Sequence, residues 1–426
     1  MKFYNCKNKS ETISAKEVFI KGIADDGGLY MPEHIPTLSK DELSSYHSLK
    51  INELAFEISK RILAEDIEIN SLEKICNEAF NFPVPLRPLS ENLSVLELFH
   101  GPTYAFKDFG ARYLARLLGY FRKNENKLLN VLVATSGDTG SAVADGFYKV
   151  PGVKVTILYP SGKVSPLQEK QLTTLGENIT TLEVDGVFDD CQSLVKQAFS
   201  DSELRKQVEI TSANSINFGR LFPQSFYYFL AALQQSQDIS VVVPSGNLGN
   251  VTAGLIAKRM GLNIKNFIVA TNLNDSFPQY LATENFLAKK TIHTISNAMD
   301  VGNPNNFPRI LDLYDNNFTK IKSEIQGISI GDLETKNTML SVFKDLHYQV
   351  CPHTAVGIAA HNLLNKEGKS IVLATAHPAK FLEVVEEVIH EKVKLPAGLE
   401  EAAKKEKRSI KIGKEFQEFK KLLLSN

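Results

Sequence analysis

The sequence predicts an α/β protein in two lobes built on parallel sheet, and three observations carry that reading. Apolar, β-branched runs alternate with helical patterns across residues 93–211. A further apolar run at 239–243 passes through a glycine loop into a small-residue helical pattern reaching Met260. The 426 residues can bury a large core, enough for two or three domains or one large two-lobed unit. Strands that alternate with helices at this spacing need crossover connections, which make the sheet parallel and put ligands at its carboxyl edge.

Residues 1–90 form a first region. The stretch ISAKEVFIKGIADDGGLYMP, residues 13–32, couples a short amphipathic helix to a glycine turn, and 49–79 carry apolar residues at helical spacing. Pro83, Pro85 and Pro88 cannot continue a helix and mark a lobe boundary. A second region, 91–215, is expected to form the smaller lobe. Its strands fall at 93–99, 129–135, 154–159, 179–184 and 208–211, its helices at 108–121, 140–148 and 189–199, with another helix opening at Ser165-Pro166. The third region, 216–426, forms the larger lobe. It begins with one long helix over 221–233 and continues through strands at 239–243, 266–271 and 370–374 and helices at 334–346 and 354–364. A charged, solvated helix at 400–408 closes the reading.

Composition narrows the partners. Lys plus Arg number 48 and Asp plus Glu 49, so charge gives no reason to expect nucleic acid or an anionic membrane. The longest apolar runs fall far short of the ~20 residues that span a bilayer. MKFYNCKNKSE at the start is polar and lacks the apolar core of a signal peptide, so the cytoplasm is the expected location. Cys6, Cys76, Cys191 and Cys351 are scattered without a C-x-x-C pair or a histidine at ligand spacing, which points to free thiols and to no metal site.

Several short stretches carry chemistry. FHGPTYAFKDFG, residues 99–110, sets Lys107 between Phe106 and Phe109 with Asp108 beside it. Desolvation lowers the pKa of an amine, and a neutral amine can form a Schiff base with an aldehyde. In PSGNLGN, residues 244–250, Gly246 and Gly249 let backbone N–H groups approach an anion at the start of a helix. The loop is neither G-x-G-x-x-G nor Walker A and suits a monophosphate. TSGDTG, residues 135–140, also joins a strand to a helix and converges hydroxyls and N–H groups on an anion. In SANSINFGR, residues 212–220, Asn214, Asn217 and Arg220 are candidates for a second phosphate, with Lys163 of PSGKVSP. Thr375 places a hydroxyl at a strand's carboxyl end, while His353 and His377 read as structural and Arg309 receives no role. Taken singly, each has a plainer reading, since most lysines are solvated and Ser or Thr before a helix serves as a cap.

Five motifs in this order, ADDGGLYMP (24–32), HGPTYAFKD (100–108), TSGDTGSAV (135–143), SGNLGN (245–250) and ATAHPAKF (374–381), cover nearly the whole chain. Together they resemble pyridoxal phosphate (PLP) enzymes of the tryptophan synthase β-like fold type II, and the threonine synthase family most closely. The resemblance implies two lobes of parallel and mixed sheets with an N-terminal extension packed on the catalytic body. It implies PLP held covalently by Lys107, its phosphate by Gly246, Asn247, Leu248, Gly249 and Asn250, and its ring nitrogen facing Thr375. Ser136, Gly137 and Thr139 would receive the substrate carboxylate. Asp138 would lie near the cofactor's phenolic oxygen, where relatives often carry Asn, so the acid departs from the commoner pattern. The implied activity converts O-phospho-L-homoserine and water into L-threonine and phosphate, the last step of threonine biosynthesis, in a monomer or homodimer. Two other readings stay open: another fold-type II enzyme such as a threonine or serine dehydratase or cysteine synthase, and a non-catalytic relative. The N-terminal region and SANSINFGR argue against the first, and Lys107 with the glycine loop against the second.

Overall fold

The computed structural model describes residues 1–235, 238–365 and 368–425. Three sheets organise the described residues. The N-terminal region contributes β1 (Lys2–Asn5), β2 (Asn8–Ser14) and β3 (Tyr30–Pro32), an antiparallel sheet in the order β2-β1-β3. The body then adds β4 (Leu86–Pro88), β5 (Leu93–Glu97), β6 (Leu129–Ala134), β7 (Val153–Pro160), β8 (Ile179–Val184) and β9 (Glu209–Ser212). β10 (Ile239–Pro244), β11 (Ile264–Thr271), β12 (Ile325–Ser329), β13 (Ser370–Ala374) and β14 (Ile410–Ile412) complete the strands.

A five-stranded sheet in the order β14-β8-β7-β6-β9 is parallel throughout. A six-stranded sheet, β12-β11-β10-β13-β5-β4, is parallel except for β4. β6, β10 and β13 are buried at every position, as strands covered on both faces must be, which explains their unbroken apolar runs.

The N-terminal region is bound into the body. Ser14 and Glu17 form a capping box that starts the helix Ala15–Lys21. The helices Ile51–Leu63 and Ile69–Ala79 each bury one apolar stripe. Phe80, at the end of the second, packs on Phe109, Tyr113 and Phe226, so one apolar core runs from this region through the helix Lys107–Arg122.

Three features differ from the expectation. Sheet membership crosses the divisions near residues 90 and 215, because β5 pairs with β13 in the six-stranded sheet and β14 returns from the tail to the five-stranded one. The expected long helix at 221–233 is interrupted: Phe218–Leu221 gives way to a 3₁₀ turn at Phe222–Gln224, and Ser225–Leu233 follows. Pro223 has no N–H to continue the ladder, and Gln224 Nε2 donates to the carbonyl of Arg220 at 2.9 Å. The charged stretch 400–408 is exposed for most of its length, as expected, but its helix starts earlier and the tail on either side of it is anchored to the body. A helix at Ala397–Lys404 buries Leu399, and a second helix, Phe416–Leu424, buries Phe419 and Leu423 beside β14. Each of these tail elements brings only one or two apolar side chains to the body, too few to stand out against the charges around them.

Candidate active site

The carboxyl ends of β6, β9, β10 and β13 open on one cavity between the sheets. Lys107, Ser136, Asp138, Thr139, Asn214, Arg220, Gly246, Asn247, Gly249, Asn250 and Thr375 all line it.

Lys107 is the first residue of its helix, and backbone bonds fix that start against the end of β13. Phe106 N–H donates to the carbonyl of Thr375 at 2.8 Å, and His377 N–H to that of Tyr104 at 3.0 Å. Its amine lies 3.9 Å from Asp138 Oδ2 and 5.2 Å from the centre of the Phe106 ring. The lysine is therefore not unpaired, as its sequence neighbours suggested. Asp108 points elsewhere, accepting from the backbone N–H and hydroxyl of Thr103, and Phe109 sits in the core against Phe80, Phe82 and Tyr227. Burial pushes the Lys107 pKa down; Asp138 opposes this, while Lys380 and Arg220 push the same way.

The loop after β10 is shaped for an anion. Leu248 takes a left-handed conformation, φ 59°, to turn into the helix Gly249–Arg259. A Cβ on Gly246 would stand 2.7 Å from Met299 Cα. The loop's asparagines brace it: Asn250 Oδ1 accepts from Ser245 Oγ at 2.6 Å, Asn247 Nδ2 donates to Ser215 Oγ at 3.0 Å, and Asn247 Oδ1 accepts from Asn305 N–H at 2.6 Å. The backbone amides of 246–250 make no hydrogen bond among the described residues. Free amides at a helix start are what a phosphate monoester needs.

The turn after β6 has the same logic. Gly137 adopts φ 139°, and a Cβ there would meet Gln168 at 2.6 Å. Thr135 Oγ1 accepts from the N–H groups of Gly137 and Gly140, so Gly137 supplies the turn rather than a donor to substrate. The amides of Ser136, Asp138 and Thr139 remain free among the described residues.

The segment after β9 divides its roles. Arg220 is buried and lines the cavity, yet its Nε and Nη1 have no partner. Burial lowers its pKa to about 10, with Asp108 opposing. An unsatisfied buried guanidinium is costly, and an incoming anion would relieve it. Asn214 reaches the cavity while its amide ties back to the carbonyl of Ala134. Asn217 does not take part: it caps the helix Phe218–Leu221 and donates to the carbonyls of Phe19 and Ser212. Lys163 is exposed on the turn after β7, outside the cavity lining.

Other residues enter only through the fold. Ser215 Oγ, in the cavity lining, accepts from both Asn247 and Asn306, which leaves its own proton available to another acceptor. Arg309, fully buried, spends its donors on the carbonyls of Tyr30, Ser215 and Ile216 and on Asn306, pinning the N-terminal region to the site. His353 lines the cavity and accepts from Ala298 N–H through Nε2; burial lowers its pKa to about 4. His377 caps the turn Pro378–Phe381, the structural role its sequence position implied.

Comparison with known proteins decides the family. Residues 81–375 match the family model described as "Pyridoxal-phosphate dependent enzyme", residues 2–80 "Threonine synthase N terminus", and residues 354–423 "Threonine synthase, C-terminal". Threonine synthase of Escherichia coli K12 is 43% identical over 431 residues, 100% of each chain. The chain belongs to the threonine synthase family. The crystal structure of the Escherichia coli threonine synthase superposes with a TM-score of 0.94 over 100% of both chains. A PLP-bound threonine synthase from Brucella melitensis, 31% identical, also reaches 0.94 over 100% of this chain and 99% of that one. A threonine deaminase from Solanum lycopersicum, 15% identical over 84% of this chain and 99% of that one, reaches 0.57 and shares the fold alone.

PLP is therefore the cofactor, and the residues present fit it. A largely buried amine at 107, a loop of free amides at 246–250 and a strand-end hydroxyl at Thr375 line one cavity. The Thr375 hydroxyl has no partner among the described residues. Thr375 would face the ring nitrogen, as the family resemblance implied.

Proposed function

We propose that the chain is a threonine synthase that converts O-phospho-L-homoserine and water into L-threonine and phosphate. Arg220 carries this reading. A cavity that already offers one set of free amides for the cofactor phosphate also offers a guanidinium with unsatisfied donors, which suits a second phosphate on the substrate. A dehydratase acting on serine or threonine has no use for that group.

The chain's own residues then divide the work. The free amides of the turn 135–140, with Ser136 and Thr139, receive the substrate carboxylate. Arg220, Asn214 and the hydroxyl of Ser215 grip the distal phosphate and align it for departure. Lys107, made less basic by burial, is the amine that would hold the cofactor through its aldehyde and the base placed to take the proton from the substrate α-carbon. PLP, when bound, supplies the electron sink that makes this proton acidic. The reading carries with it a monomer or homodimer in the cytoplasm. Four free thiols suit that reducing compartment.

The test is product analysis of the purified enzyme supplied with PLP. Phosphate and threonine formed from O-phospho-L-homoserine, lost in Lys107→Ala, support the proposal. A 2-oxo acid from serine or threonine, without phosphate release from O-phospho-L-homoserine, would replace it with the dehydratase reading.

A further inference from the structure

Asp138 is 4% exposed and sits between two lysines. Its Oδ1 is taken by Lys380 Nζ at 2.9 Å and by Gln168 Nε2 at 2.7 Å, whereas Oδ2 faces Lys107 Nζ at 3.9 Å. Lys380 has a fully buried side chain and also donates to the carbonyl of Thr103 at 2.7 Å, so its ammonium is locked in place.

This arrangement answers a problem that Asp138 creates. A buried carboxylate with Lys107 as its sole cation would hold the proton on that amine, and a protonated amine neither attacks an aldehyde nor accepts a proton. We propose that Lys380 is a positioning residue: as the nearer counter-ion of Asp138, it neutralises the carboxylate and frees the Lys107 amine to act as nucleophile and base. This proposal rests on Lys107 being the amine that bonds the cofactor.

Among the described residues, no third cation pairs with Asp138. Arg220, on the helix Phe218–Leu221, adds a positive charge near Lys107. His353, on the helix Pro352–Leu364, is neutral at ordinary pH because burial lowers its pKa to about 4, and burial raises the thiol of Cys351 beside it. Asp108, raised to about 6 by burial, gives both its oxygens to Thr103. Burial opposes ionisation of Asp138, yet Lys380, then Lys107, and His353 once acid protonates it, hold it below the ordinary carboxylate range, with Lys380 the largest of these influences.

The experiment measures the Lys107 amine rather than turnover. Cofactor-free protein is mixed with pyridoxal phosphate across a pH series and reduced briefly with borohydride, and the fraction fixed at Lys107 is read by peptide mass spectrometry. Lys380→Met should move the trapping midpoint to higher pH and slow trapping several-fold at neutral pH. Lys380→Arg should restore both. Asp138→Asn/Lys380→Met, which removes both charges, should return the midpoint to the wild-type value or below, and it provides the measurement if Lys380→Met does not fold. An unmoved midpoint in Lys380→Met, or a double variant that titrates above wild type, overturns the proposal. Failure to trap wild-type protein at Lys107 would instead sink the functional reading on which it rests.

Discussion

Phe106 donates its backbone N–H to the carbonyl of Thr375 at 2.8 Å, which fixes the start of the lysine-bearing helix against the end of β13. Two segments 268 positions apart, the difference between 375 and 107, thus present an amine and a hydroxyl to one cavity without relying on side-chain contacts to align them. Thr375→Val keeps the shape and removes only the hydroxyl. It should lower kcat about tenfold, the size of one hydrogen bond of ~1.5 kcal/mol, and alter the visible spectrum of bound cofactor with little change in Tm. An unchanged kcat and spectrum would take Thr375 out of the site.

Arg220→Ala separates function from stability. Loss of charge-assisted hydrogen bonds worth about 1.5–3 kcal/mol should raise KM for O-phospho-L-homoserine by roughly ten- to a hundredfold. The fold should lose little, because Nε and Nη1 have no partner within it. Arg309→Ala should behave in the opposite way, since its donors hold Tyr30, Ser215, Ile216 and Asn306 together. Steady-state kinetics with thermal unfolding reads both; an unchanged KM in Arg220→Ala removes that residue from the substrate site.

Gly246→Ala tests the cofactor loop. The added methyl would stand 2.7 Å from Met299 Cα, a backbone atom that cannot swing aside. The loop must shift, which should cost about 1–3 kcal/mol of stability and weaken PLP binding, measured by fluorescence titration. Gly331→Ala is the control, because its nearest neighbour, Leu273 Cδ2, is 3.7 Å away. Equal cofactor affinity in the two variants would contradict the loop's assignment.

What the sequence disclosed and what it hid have a common cause. Lys107, Gly246 and Thr375 were legible because each lies in a short motif that resembles one family, and strands such as β10 and β13 because burial on both faces leaves an apolar run. Lys380 stood in the ATAHPAKF motif with no visible task, since its partner Asp138 lies 242 positions away, the difference between 380 and 138. Arg309 was hidden for the same reason: its acceptors are backbone carbonyls near residues 30 and 216, which no side-chain pattern announces. Asn217 and Arg220 looked alike as phosphate ligands, and only the backbone direction at a helix start made one a cap and the other a cavity residue. The break at Pro223 could have been foreseen, because proline inside a helical pattern removes a backbone donor.

One contact that ties the tail to the five-stranded sheet depends on pH. Glu183, at the end of β8, receives Lys407 Nζ at 2.7 Å and Ser161 Oγ at 2.7 Å. Burial opposes its charge, but the hydrogen bonds from Lys407 and Ser161 outweigh it and lower the pKa to about 2 from 4.5. A depressed carboxyl binds fewer protons in the folded chain than in the unfolded one between these values, so its contribution is complete above about pH 4.5 and disappears as pH falls through about 2. Glu183→Gln should therefore cost about 1 kcal/mol at neutral pH, a figure kept small by solvent around Lys407. The gap to wild type should narrow steadily on acidification. Urea unfolding of both proteins at neutral pH and near pH ~3 measures this, and a gap that stays constant or widens in acid would show that Glu183 does not hold the tail through its charge.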